Sequence, residues 1–137
     1  MTLARELMTR TPKCVGENDT LAEAARLLRD LDVGSLPICG EDQRLKGMLT
    51  DRDIVVKCIA EGGDPSATRA GDLAEGKPVT IGADDDAREA LQVMQEHQVR
   101  RLPVIDGHDL VGIISQADVA RALSAEETGE TVEEISS

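Results

Sequence analysis

Leu36-Pro37-Ile38 returns as Leu102-Pro103-Val104, 66 positions further along the chain. At that offset Ala4, Leu7, Pro12, Val15, Asp19, Ala24, Leu28 and Val33 fall on Ala70, Leu73, Pro78, Ile81, Asp85, Ala90, Met94 and Val99. Past the proline the offset shortens to 65, because residues 40–46 form a turn one residue longer than 106–111. Gly47-Met48-Leu49-Thr50-Asp51-Arg52-Asp53-Ile54 then matches Gly112-Ile113-Ile114-Ser115-Gln116-Ala117-Asp118-Val119. A period of this length marks supersecondary units that bury apolar faces against one another. Two copies imply a pseudo-two-fold module, with the cleft between the copies as the place to expect function.

The chain has 137 residues, a net charge of −12 and no Phe, Tyr or Trp. Its core must therefore be built from Leu, Ile, Val, Met and Ala. Single-stranded nucleic acid is disfavoured as a ligand, since bases are usually gripped by aromatic stacking. The negative charge would repel duplex DNA and anionic membranes. Residues 1–11 lack the apolar stretch of a secretory signal, and no run is long enough to span a bilayer. Three cysteines without Cys-x-x-Cys spacing suit a cytoplasmic protein. Five glutamates (126, 127, 130, 133, 134) crowd the last fourteen residues, leaving −7 on the remainder. This tail, 124–137, is expected to be solvated and frayed.

Each half reads as β-α-β-β-α after a short leading helix, an α/β (α+β) arrangement. In the first, 13–15 is a brief strand, and Thr20 and Glu23 have capping-box spacing. Leu21, Ala24, Ala25, Leu28 and Leu31 then form one apolar helical stripe. Strands are expected over 35–39 and 45–50. A second helix would present Ile54, Val55, Cys58 and Ile59 on one face and stop near Glu61-Gly62-Gly63. The second half repeats this, with Asp86 and Glu89 at capping spacing, strands over 101–105 and 110–115, and Val119, Ala122 and Leu123 on its last helix. The boundaries are 1–61 for repeat 1, 62–69 for a linker and 70–123 for repeat 2.

The Leu-Pro-Ile/Val strand, the Gly-apolar-apolar-Thr/Ser strand and the following Thr/Ser-x-x-Asp occur in both halves in the same order. Together they resemble cystathionine-β-synthase (CBS) domains, paired as in a Bateman module, over roughly residues 3–123. The stretches 47–54 and 97–104 are also similar to those of stand-alone bacterial two-CBS proteins. The resemblance implies a regulatory or sensory binding module, a homodimer formed through helices, and an adenosine-containing nucleotide (AMP, ADP or ATP class) as ligand.

Thr50-x-x-Asp53 and Ser115-x-x-Asp118 are explained by helix capping alone: the hydroxyl accepts an amide and the acid sits at the positive helix end. The resemblance adds a compatible role, in which the Asp accepts hydrogen bonds from two ribose hydroxyls and the Thr or Ser approaches ribose or phosphate. Arg100 and Arg101 would meet phosphates, or else answer Glu96 or another acid at the surface. The first half has Gly34 and Ser35 at these positions, so the second half is the better phosphate site. An aliphatic slot for the base would draw on Thr80, Ile81, Val99, Pro103 and Val104. Cys14 stands where the second half has Thr80, which weakens the case for a base there.

A β-α-β connection makes its two strands parallel neighbours, so Cys14 and Cys39 would lie close enough either to bond or to remain paired buried thiols. The family likeness favours the disulfide; the cytosolic habit favours the thiols. Cys58 reads as core. His97 and His108 have no partner histidine at i+3 or i+4, so no metal is expected within one chain, although a metal shared across an oligomer interface stays open. Asp84-Asp85-Asp86 reads as a helix-dipole complement. No nucleophile-base set or phosphate loop is present, so no enzyme is expected. An unknown protein partner would carry the signal. The alternative is a ligand-free, disulfide-stabilised interaction protein of stress or hypoxia.

Overall fold

The computed structural model describes residues 1–10, 13–74 and 78–128. Its order is α1 (Ala4–Leu7), β1 (Thr9–Arg10), β2 (Val15–Gly16), α2 (Leu21–Leu31), β3 (Ser35–Cys39), β4 (Leu45–Thr50) and α3 (Asp51–Asp53). A π-helical segment, Ile54–Ile59, continues α3, and a 3₁₀ turn spans Ala70–Leu73. The chain then forms β5 (Ile81–Gly82), α4 (Ala87–His97), β6 (Arg101–Asp106), β7 (Asp109–Ser115) and α5 (Gln116–Thr128). Every strand and long helix expected from the repeat is present. The last helix runs five residues into the stretch expected to fray, and 129–137 lie outside the described residues.

Two compact units result, and they cross the sequence repeats: Met1–Thr11 with Val79–Ser137, and Pro12–Pro78. In the second of these, β2 pairs parallel with β3, and β3 antiparallel with β4. In the other, β5 pairs parallel with β6, β6 antiparallel with β7, and β1 adds to the free edge of β7. The register slips at Ile38/Cys39 in one sheet and at Val104/Ile105 in the other, positions that match at the 66-residue offset.

The crossing comes from the leading segments, each built into the unit of the other repeat. Ala4 N donates to Asp85 O, Arg5 N to Ala83 O, and Ala87 N to Thr2 O. The same three bonds recur as Ala70 N to Asp19 O, Gly71 N to Glu17 O, and Leu21 N to Thr68 O. Glycine makes room for both segments. A Cβ on Gly112 would stand 2.5 Å from Met8 Sδ and 2.7 Å from Thr9 O; one on the matching Gly47 would stand 3.1 Å from Ala74 Cβ. Arg5 fastens the first segment further, 2.7 Å from Asp84 and 3.4 Å from Asp106, and its hydrogen bond to Asp84 raises its pKa.

Thr20 and Glu23 form the expected reciprocal cap of α2, with bonds of 3.1 and 3.2 Å. Leu21, Ala24 and Leu28 are buried beneath it, but Ala25 is exposed and Leu31 is 43% exposed. Leu31 escapes the core because Asp32 turns left-handed (φ 54°) and ends the helix there. At α4 the expected Asp86–Glu89 reciprocity is absent, since the Asp86 carboxylate caps Arg88 N instead.

The helix after β4 departs further from expectation. Ile54 and Cys58 are buried, whereas Val55 and Ile59 are more than half exposed. The turn here is also wider, i→i+5, as Ala60 N to Val55 O and Gly63 N to Cys58 O show, both 2.8 Å. Termination at Gly62 (φ 80°) is as expected.

Cys14 and Cys39 are joined by a disulfide across the β2–β3 edge, with Cα atoms 5.8 Å apart. Cys58 is a buried free thiol. Thiol titration of denatured, non-reduced protein should therefore count one reactive thiol, rising to three after reduction. Reduction should also lower unfolding stability by about 3 kcal/mol, read from denaturant midpoints. A count of three before reduction would exclude the bond.

Candidate functional site

The side chains singled out in the second repeat gather where β7 hands over to α5. Arg101 pairs with Ser115 across the β6–β7 ladder, and Gln116 N donates to the Arg100 carbonyl at 2.8 Å. Asp118 N donates to Ser115 Oγ at 3.2 Å, so the hydroxyl does cap the helix. Thr80 precedes β5 at the level of Pro103, because Ile81 pairs with Val104 in the parallel ladder. Val99 N donates to Met94 O as the chain leaves α4, and the Val99 side chain is 38% exposed.

The aliphatic slot is another matter. Ile81 and Val104 are buried in their unit's own core, packed with Leu102, Ile114 and Val119, and Pro103, which points to the other face of β6, is buried too. Their side chains are used up in folding, and Pro103 and Val104 belong to β6, a strand paired on both sides, so only the outer edge of β5 at Ile81 is left open. Thr80 and Val99 remain partly accessible. Arg100 and Arg101 are both exposed, and among the described residues neither forms an ion pair, with Glu96 or any other acid.

The first repeat builds the same junction with different contents. Ser35 pairs with Thr50, Asp51 N donates to the Gly34 carbonyl, and Thr50 Oγ1 accepts from Asp53 N at 3.0 Å. Here the cap is reciprocal, since Thr50 N donates to Asp53 Oδ2 at 3.0 Å. Lys57 Nζ lies 3.4 Å from Asp53 Oδ1, so both carboxylate oxygens are engaged. Cys14, in the position of Thr80, is tied into the disulfide. Ser35 Oγ is buried and, among the described residues, without a hydrogen-bond partner.

Asp118 is less occupied. One oxygen contacts Arg121, and among the described residues the other has no hydrogen bond. Sequence reading missed Arg121 and Lys57, although i+3 and i+4 spacing from the two aspartates would have signalled both. His97 ends α4 and His108 lies in the β6–β7 turn. Among the described residues no three His, Cys, Asp or Glu side chains gather as a metal site. No helix of the described residues is long and apolar enough to cross a membrane.

The duplicated β-α-β-β-α unit, with an acid three residues past a Thr or Ser at each strand–helix junction, defines a pair of like α/β repeats. The chain belongs to the CBS-domain family, whose model matches residues 4–59 and 70–125. It is similar to Hypoxic response protein 1 of Mycobacterium tuberculosis, at 54% identity over 123 residues, 90% of this chain and 86% of that protein. It is also similar to a crystal structure of Hypoxic Response Protein I with two coordinated zinc ions: TM-score 0.83, 53% identity, 88% of this chain and 98% of that one. A structure of CBSX2 in complex with AMP shares the fold, with TM-score 0.78 at 24% identity over 93% of this chain and 99% of that one.

The unequal caps have a measurable consequence. Asp53→Ala removes the carboxylate half of a reciprocal cap together with the Lys57 contact, leaving Asp53 N on Thr50 Oγ1, and should cost about 1 kcal/mol in urea unfolding. Asp118→Ala, which leaves the Ser115 cap in place, should cost clearly less. Equal losses would mean that the fold relies on Asp118 no less than on Asp53.

Proposed function

We propose that this chain is a regulatory CBS-pair module that binds an adenosine-containing nucleotide of the AMP, ADP or ATP class at the β7–α5 junction of the second repeat. The observation that carries this reading is the pair Arg100 and Arg101, exposed and without an acid partner among the described residues of a chain of net charge −12, beside Asp118 with one open carboxylate oxygen. Unpaired arginines on an acidic protein favour an anion, and a carboxylate favours a cis-diol. A nucleotide supplies both. Ser115 and Thr80 would add hydroxyl contacts, while Val99 and the outer edge of β5 at Ile81 would line the base. The AMP held by CBSX2, a protein of the same fold, agrees with this ligand class.

Only one site per chain is expected. Thr50 and Asp53 mark the corresponding junction of the first repeat, but Asp53 is engaged on both oxygens, and Gly34 and Ser35 stand where the second repeat has its arginine pair. The module would act by binding, without chemistry of its own, in the cytoplasm, and would shift between two states according to its differential affinity for nucleotide.

A second reading is favoured by the Cys14–Cys39 bond: a ligand-free, disulfide-stabilised interaction protein of stress or hypoxia. Calorimetric titration with AMP, ADP, ATP, NAD and S-adenosylmethionine separates the two, since the chain has no Trp or Tyr to report optically. The nucleotide reading expects saturable binding of one AMP, ADP or ATP per chain, lost in Asp118→Ala and kept in Asp53→Ala. Cationic S-adenosylmethionine should bind more weakly. Absence of heat at several temperatures, for folded protein, would leave the ligand-free reading.

A homodimer is part of the proposal. Val55, Val56 and Ile59 are 55%, 42% and 53% exposed on one short segment, a grouping that favours burial against a second copy. The double variant Val55→Glu/Ile59→Glu should reduce the light-scattering mass from twice 14.7 kDa to 14.7 kDa. An unchanged mass would place the interface elsewhere.

A further inference from the structure

Asp118 is asked by the reading above to accept ribose hydroxyls, yet one of its oxygens is taken by Arg121 Nη2. The pair lies on a single turn of α5, with the Arg121 side chain 77% exposed and Asp118 30%. An ion pair so open to water is weakly held, and a long arginine on a helix surface has many alternative rotamers. The strand–helix junction just before this turn carries two further cations, Arg100 and Arg101. Gln116 N holds the Arg100 carbonyl, and Arg101 faces Ser115, which caps Asp118 N.

We propose that Arg121 sets the ligand class of this junction: it covers the Asp118 carboxylate when no ligand is bound, and turns to the phosphate when a nucleotide displaces it. The inference rests on the nucleotide reading and adds a residue to it. A ribose entering at Asp118 takes the oxygen that Arg121 held. A nucleoside offers the displaced guanidinium nothing in exchange, so three arginines are left without an anion. A nucleotide offers phosphate oxygens, which a guanidinium meets with two parallel N–H bonds. The junction therefore prefers nucleotides to nucleosides by more than Arg100 and Arg101 alone would give.

The first repeat lacks this device. The residue matching Arg121 is Val56, and the cation on Asp53 comes instead from Lys57, whose match in the second repeat is Ala122. Asp53 also accepts from Thr50 N, a bond that a ribose would have to break along with the helix cap.

The test is calorimetric titration of AMP and of adenosine into the wild-type chain, Arg121→Gln and Arg121→Lys, with circular dichroism to confirm folding. Arg121→Gln should weaken AMP while leaving adenosine unchanged or tighter, so that the AMP-to-adenosine affinity ratio falls about tenfold. Arg121→Lys should restore part of the ratio. If wild-type chain binds AMP and Arg121→Gln leaves the ratio unchanged, or weakens both ligands equally, the role given to Arg121 is wrong and the nucleotide reading stands. If wild-type chain binds neither, the nucleotide reading fails and takes this inference with it.

Discussion

The fold depends on a close approach: a glycine in the last strand of each repeat receives the leading segment of the other. Gly112 leaves no room for a Cβ beneath Met8 and Thr9, and Gly47 plays the same part beneath Ala74. Three backbone bonds then fix each segment at equivalent positions. A lone repeat would leave its strand edge and the start of its long helix without these partners, and unpaired backbone groups are costly when buried. Hence neither compact unit is a contiguous repeat. Covalent continuity through the exchange makes the pair the natural unit of stability.

On that duplicated frame the two strand–helix junctions differ most in their side chains. Registers, bulges and Thr/Ser caps match at both. What differs is how the charge is satisfied. At the first junction every oxygen of Asp53 is engaged, Gly34 and Ser35 bring no cation, and a disulfide closes the adjoining edge. At the second, two arginines lack acid partners among the described residues, and the acid is half free. Satisfied polar groups stabilise a fold, whereas open ones are left for something else to meet. Duplication supplied two equivalent frames, and the unequal charge distribution gives them different capacities.

Much of this was legible before any coordinates. The Leu-Pro-Ile/Val repeat fixed the offset, and with it the strands, the long helices and the parallel β2–β3 neighbours that bring Cys14 to Cys39. Three things were hidden. The π-turn after α3 was invisible because Ile54, Val55, Cys58 and Ile59 fit an ordinary helical face; a change from i+4 to i+5 bonding leaves no mark in hydrophobic spacing. The burial of Ile81, Pro103 and Val104 was underestimated because Pro103 and Val104 point to opposite faces of β6 and both are buried, whereas a half-open sheet would have left one of them accessible. The exchange of leading segments was hidden because a repeat boundary in sequence carries no information about where the segment docks.

That burial reshapes what recognition at the second junction would consist of. With Ile81 and Val104 turned into the core and no aromatic residue anywhere in the chain, a base would find no stacking partner and little apolar side-chain surface. The outer edge of β5, with Thr80 and Val99, would have to supply most of its contacts. Affinity would then come chiefly from the polar end, where Asp118 meets the ribose and the arginines meet phosphate. Charge-assisted contacts of this kind are individually strong but screened by salt when exposed. A module built this way would distinguish ligands by the number and placement of their negative charges more sharply than by the identity of their base, because only the charges meet side chains that folding has left unspent.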